Sequence, residues 1–312
     1  MVLGQQVIYP VNLSPLSKVE RPHCFLFDNG SLRAASTLSL RRTAALLSEK
    51  LDTSVQAVSL LHSSGVSKEQ LGGSPAELLE PALLSWLTEH PEGSAVLLPL
   101  FFGPSGALMD YVPERLQSVR SKFPRADVRL ARCLVDPRET DTRIARALAD
   151  AARATIQLNA LKHPKVLLVD HGSPQHRVAT VRDHLGDQIK AVLGSEIAEF
   201  NVTSMERRPG PDYAFNDPLL ANTLGIPPYA EGDVVVLLQF LAPGRHAGPH
   251  GDIAEICDEA ARGCSSLQTY LTEPIAHHPF VAEVLLQRYE EAIANGPATS
   301  RSRSEQTTTT GS

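Results

Sequence analysis

Two histidines and a glutamate stand where this sequence could do chemistry. His171 follows the apolar run Val166–Val169 in Asp170-His171-Gly172-Ser173, Glu206 closes Ser204-Met205-Glu206, and His246 lies in Gly244-Arg245-His246. Each falls just past a segment that reads as a strand of a parallel sheet, and ligand and catalytic groups of open α/β proteins collect past the carboxyl ends of such strands. Two imidazoles and a carboxylate suit a borderline divalent metal such as cobalt(II), ferrous iron or nickel(II). They also suit proton abstraction near neutral pH. His171, His246 and Glu206 are therefore the candidate catalytic and metal-ligating residues, with His250 in the same loop as an accessory ligand. Arg207, Arg208 and Arg245 lie beside them. Guanidinium groups grip carboxylates bidentately, so this basic cluster on an acidic chain implies a polyanionic ligand. Ser173 joins them as a substrate-contact candidate, although a serine there also reads as a helix cap.

The elements that must hold these residues occur twice. Cys24–Phe27 ends in Asp28-Asn29-Gly30-Ser31, an altered copy of the His171 motif offset by 142 residues, with Asn29 in place of the histidine. A helical stripe follows each copy: Leu40, Ala44, Leu47 and Leu51 in the first, Val178, Val181, Leu185, Ile189 and Val192 in the second. The strands Val55–Leu61 and Ile197–Thr203 come next, then helices over Ala76–Glu89 and Pro218–Leu224. The third strands, Ala95–Gly103 and Val235–Pro243, echo each other most plainly, and the halves close on Val128–Val135 with Asp141–Arg153 and on Leu267–Leu271 with Phe280–Ala294. Strictly alternating strands and helices predict an α/β fold of two tandem flavodoxin-like domains, each a parallel sheet with helices on both faces. The expected divisions are an N-terminal arm over 1–20, a first domain over 21–155, a second over 160–295, and a disordered polar tail over 296–312. The rims of the two halves are expected to face each other across a cleft. Aligned at the offset of 142, and of 140 past the third strands, Asn29, Ser64 and Gly106 replace His171, Glu206 and His246, which reads as a site kept in the second half only.

Composition excludes several classes. With 42% hydrophobic residues, 21% charged and a net charge of −6, the 312-residue chain has no basic stripe for nucleic acid. Its longest apolar run, Val234–Pro243, is too short to span a bilayer. The first residues lack the build of a signal peptide, and four cysteines without a CxxC pair fit a reduced, cytoplasmic setting. Cys257 and Cys264, seven apart, read as core thiols. No GxxxxGK[ST] or strand-linked GxGxxG is present, so no nucleotide is expected.

The ordered set Asp170-His171-Gly172-Ser173, Ser204-Met205-Glu206-Arg207-Arg208, Tyr213-Ala214-Phe215-Asn216 and Phe240-Leu241-Ala242-Pro243-Gly244-Arg245-His246 with Asp252-Ile253 resembles the sirohydrochlorin chelatases of the cobaltochelatase (CbiX) type. The closing helix around His278-Pro279 is similar as well, and the likeness covers most of 164–294. The resemblance implies a class II, ATP-independent chelatase of cytoplasmic cobalamin or sirohaem synthesis, working as monomer or homodimer on a tetrapyrrole substrate. Its two active-site histidines carry over onto His171 and His246, and its acidic metal contact onto Glu206. Ala247–Gly251, with its extra His250, is a longer spacer than the family commonly has. Two other classes compete: a non-catalytic metal or tetrapyrrole carrier, and a flavoprotein, which would need a phosphate loop that Asp170–Pro174 does not provide.

Overall fold

The computed structural model describes residues 21–295 except Pro249, so the sequence segments read as an arm and a tail lie outside the described residues. The first half runs β1 (His23–Asp28), α1 (Ala34–Leu51), β2 (Val55–Ser59), α2 (Leu79–Glu89), β3 (Ser94–Pro99), α3 (Val112–Lys122), β4 (Asp127–Leu130) and α4 (Arg143–Leu158). The second repeats it with β5 (Lys165–Asp170), α5 (His176–Leu193), β6 (Phe200–Ser204), α6 (Leu220–Leu224), β7 (Gly232–Leu238), α7 (Asp252–Gly263), β8 (Leu267–Leu271) and α8 (Pro279–Ala294). Each half forms a four-stranded parallel sheet, ordered β2-β1-β3-β4 and β6-β5-β7-β8. The expected α/β architecture is thus present in both halves.

Alternation along the strands sorts the core into three layers, because successive side chains leave a strand on opposite faces. Phe25, Phe27, Ala95 and Leu97 face outward onto Leu79, Leu83 and Leu87 of α2 and Val112, Leu116 and Val119 of α3. Leu167, Val169, Val236 and Leu238 do the same towards Leu220 and Leu224 of α6 and Ile253 and Cys257 of α7. The inward residues Cys24, Leu26, Val96 and Leu98 share a single apolar cluster with Val166, Leu168, Val235 and Leu237 of the other sheet. The helices α1, α4, α5 and α8 fill the space between the two sheets.

Within that layer the last helix of each half crosses over. α4 packs on α5 and β7 of the second half, while α8 packs on α1 and β3 of the first. Polar contacts fix the exchange. Arg288 of α8, 1% exposed, donates to the carbonyls of Cys133 at 3.0 Å and Leu134 at 3.4 Å and pairs with Glu139 at 3.2 Å. Arg129 of β4 caps the end of α8 through the carbonyls of Ala292 and Ile293. His277 reaches Ser39 of α1, its Nε2 3.1 Å from the carbonyl and 3.2 Å from the hydroxyl, and the His278 side chain caps α8 by accepting from the Phe280 amide. This pair therefore serves the joint between the halves. α4 also continues to Leu158, past residue 155 where the first domain is expected to end.

The strand registers correct two of the sequence alignments. Glu206 N–H donates to the His171 carbonyl, and the same bond in the first half runs from Leu61 to Asn29, so Leu61 and not Ser64 is the counterpart of Glu206. The pairs Leu134–Phe101 and Val135–Phe102 repeat as Ile275–Phe240 and Ala276–Leu241, which carries His246 onto Ala107 and not Gly106. The Ser64 alignment slipped because the turn between α1 and β2 is shorter than the turn between α5 and β6, and the Gly106 alignment slipped by one residue within the uniform apolar run of the third strand. Asn29, Leu61 and Ala107 make the first rim even less able to bind a metal.

Candidate active site

Gly172 sets the geometry of the first histidine. Its φ is +86°, and a Cβ there would lie 1.9 Å from the carbonyl oxygen of Glu206, so only glycine lets the two loops touch. Gly30 repeats this against Leu61 in the first half, with a φ of +86°. Behind the loop, Asp170 Oδ1 accepts from Ser204 at 2.5 Å and from the Gly172 amide at 3.0 Å. Arg182, 2% exposed, donates to Ser204, Phe215 and Asn216 and stands 4.0 Å from Asp170. Burial raises the Asp170 carboxyl above its ordinary range, against the opposing pull of Ser204 and Arg182. Asn216 brackets Ser173, accepting from its amide and donating to its carbonyl, while the Ser173 hydroxyl accepts from the Gln175 amide. Ser173 thus shapes the turn into α5.

The outcome is a pair of aimed imidazoles. His171 Nδ1 donates to the Gly172 carbonyl at 3.0 Å, which leaves the Nε2 lone pair free. His246 Nδ1 donates to the Asp252 carboxylate at 2.7 Å, which frees its Nε2 in the same way. The rings meet edge to face with centroids 4.6 Å apart. Glu206 stands alongside, Oε1 3.7 Å from His171 Nε2. The His246 loop folds back on itself: the Gly244 amide donates to the Ala247 carbonyl, Ala247 is buried, and the Ile253 amide donates to the His246 carbonyl. Asp252, the first residue of α7, thereby lies under the imidazole. Sequence reasoning placed Asp252 in the pattern without a role; its spacing of six residues from a histidine, at a helix start, is the signal.

Both halves line one cleft of about 920 Å³. His171, Arg245, His246 and His250 form one wall, and Asn29, Ser31, Arg33 and His62 the other. The facing rims are therefore observed, Gly244 approaching Ser31 where they meet. Arg33, at the start of α1, is a cleft cation that sequence reasoning missed, since nothing in the sequence marks which side of the second half α1 faces.

Of the three arginines proposed as a cluster, only Arg245 lines the cleft. Arg207 is turned away: it pairs with Asp217 at 2.9 Å and donates to the Gly210 carbonyl at 2.9 Å. Arg208 lies over the Tyr213 ring, 5.8 Å from its centroid. Among the described residues, no three His, Cys, Asp or Glu side chains converge tightly enough to enclose a metal ion, so His171, His246, Glu206 and His250 do not form a closed cage. Cys257 is buried, which pushes its thiol up to about 12 and suits a core residue. No helix of the described residues is long and apolar enough to cross a membrane.

Removing the orienting carboxylate is informative. Asp252→Ala will lower divalent-metal affinity by roughly 10–100-fold, the usual cost of losing such a partner, and Asp252→Asn by less. Calorimetric titration with cobalt(II) checks this; equal affinity for wild type and Asp252→Ala would detach Asp252 from the site.

The C-terminal half matches the CbiX family profile over residues 165–292. No curated protein matches the sequence. Two solved structures share the whole fold. SirB from Bacillus subtilis with Fe3+ superposes with a TM-score of 0.63 at 15% identity, over 88% of this chain and 97% of that one. The sirohydrochlorin chelatase SirB from Bacillus subtilis subspecies spizizenii in complex with cobalt gives 0.60 at 13%, over the same shares. Residues 165–292 of this chain thus match the CbiX family profile, and the chain as a whole shares the two-half fold of the SirB structures.

Proposed function

We propose that this protein inserts a divalent metal, cobalt(II) or ferrous iron, into a sirohydrochlorin-type tetrapyrrole without a nucleotide. The observation that carries the reading is the His171–His246 pair, both Nε2 atoms free, at the wall of a cleft large enough for a macrocycle edge. The metal is a substrate here. Insertion must bring it to four nitrogens and remove two N–H protons, leaving a neutral core. An open pair of imidazoles with one carboxylate nearby suits a metal that is held briefly and handed on, whereas a closed tetrahedral set is the mark of a structural site. His171 and His246 hold the metal or accept a proton at Nε2; Glu206 offsets charge. Arg245 and Arg33, one on each wall, face the peripheral carboxylates that such macrocycles carry.

This reading also takes the substrate to lie between the halves and the C-terminal rim to be the reactive one. The family match to residues 165–292 and the loss of ligating groups at Asn29, Leu61 and Ala107 support it. The test is to mix purified protein with sirohydrochlorin and, separately, cobalt(II), ferrous iron and nickel(II), and to follow the macrocycle absorbance. Protein-dependent insertion of one metal above the spontaneous rate is expected. Binding of sirohydrochlorin with no acceleration for any metal would favour the carrier.

A further inference from the structure

The first half has no counterpart of His171, Glu206 or His246, yet it keeps the carboxyl of its turn in the cleft. Asp28 ends β1 and lines the cleft beside Asn29 and Leu100. Its counterpart Asp170 is backed by the Arg182 guanidinium; the residue of α1 that stands where Arg182 does is Leu40, apolar and 1% exposed. Asp28 therefore keeps the carboxyl and lacks the cation. Its Oδ1 is buried with no hydrogen-bond partner, and no ion pair among the described residues includes it. Ser59 and the Gly30 amide hold the carboxyl in place. On its own half, Arg33 and His62 share the cleft with it; across it stand His171, Arg245, His246, His250, Asp252 and Glu255.

We propose that Asp28 is a second proton acceptor for insertion, working on the macrocycle from the first half, opposite the two histidines. This rests on the chelatase reading above. The balance is simple: the Asp28 carboxylate takes one N–H proton, the N–H electron pair stays on nitrogen and is donated to the incoming metal, and the carboxylic acid then loses the proton to water in the cleft. No oxidant or further reactant is required. A carboxylate left uncompensated by burial is a stronger base than an ordinary one, and burial raises Asp28 from its usual value to about 6, within reach of neutral working conditions. The surviving carboxyl also explains why a half without ligating groups keeps its Asp-Xaa-Gly-Ser turn facing the cleft.

The test uses the full chain and two variants, Asp28→Asn and Asp28→Ala, in the insertion assay with sirohydrochlorin and cobalt(II) from pH 5 to 9. Wild type is expected to gain rate with rising pH through about 6 as Asp28 ionises. Both variants should fall by about tenfold or more in kcat above pH 6, with the gap to wild type narrowing as pH falls below about 6, while the rise that the two histidines impose remains and cobalt(II) affinity, set by His171 and His246, stays at the wild-type value. Melts over the same range report on Asp28 without turnover. Its folded value lies above its unfolded one, so wild type binds the proton more tightly when folded and loses stability as pH rises from about 4 through about 6. Asp28→Asn should melt close to wild type at pH 4 and higher than wild type at pH 8. An Asp28→Asn protein with wild-type kcat and pH profile would overturn the proposal, and so would a melting difference that does not change with pH. Wild type that inserts no metal, with the pH-dependent melting difference intact, would instead remove the chelatase reading and leave Asp28 as a titrating cleft group without this role.

Discussion

His171→Ala and His246→Ala will each slow metal insertion by about 100-fold or more, the usual scale for loss of a positioned acid–base group. Each change removes one of the two imidazoles whose free Nε2 the loop hydrogen bonds aim at the cleft, and leaves its partner without the second donor of the pair. Neither should unfold the protein. His171 is 45% exposed and His246 28%, and neither belongs to an apolar cluster. Rates measured with cobalt(II) at saturating sirohydrochlorin, beside thermal melts of each variant, check both parts. A His246→Ala enzyme with wild-type kcat would move the chemistry away from this rim.

The second large effect concerns folding. Residues 160–295 produced alone will not give a cooperative unfolding transition, although they include the whole CbiX match. Without the first half, β7 and α5 lose the cover of α4, and α8 loses β3 and α1. Ile144 and Leu148 of α4, 2% and 0% exposed in the whole chain, are among the residues removed. Their burial is worth roughly 3–6 kcal/mol together, which rivals the net stability of an ordinary domain. Arg288 would also face water in place of the Cys133 and Leu134 carbonyls. Urea titration followed by circular dichroism measures this. A sharp transition at wild-type midpoint would show that each half folds by itself, and the exchanged helices would then be a surface contact.

The sheets were legible because parallel strands covered on both faces leave unbroken apolar runs: Val166–Val169 and Ala95–Leu98 could be little else. The His171 and His246 positions were legible for the same reason, since each follows such a run. The crossing of α4 and α8 was not. The stripe Val281, Val284, Leu285 says that α8 buries one face, and the same stripe would suit either sheet. Alignment of the halves failed at Ser64 because turn lengths differ and at Gly106 because a uniform apolar run fixes no register to one residue, and the backbone registers show that Leu61 and Ala107 are the true counterparts. Arg207 looked like a substrate contact from its place beside Glu206; Asp217, ten residues later, takes its guanidinium once the loop folds. Arg33 carries no sequence mark of its cleft position, and Asp28, though part of the altered rim motif, carries no mark that it lacks the cation behind Asp170.

The comparison of His171→Ala with Asn29→Ala tests the central claim most directly, since these residues hold the same place in the two halves. Metal insertion by the two variants should be measured side by side, at one protein and substrate concentration, with folding verified for each. The account predicts that Asn29→Ala keeps a rate close to wild type, because a side-chain amide is a poor ligand for a borderline metal and takes no proton near neutral pH. His171→Ala should fall behind it by about two orders of magnitude. Equal losses in the two variants would contradict the placement of the chemistry on the C-terminal rim and make the site one shared by both halves.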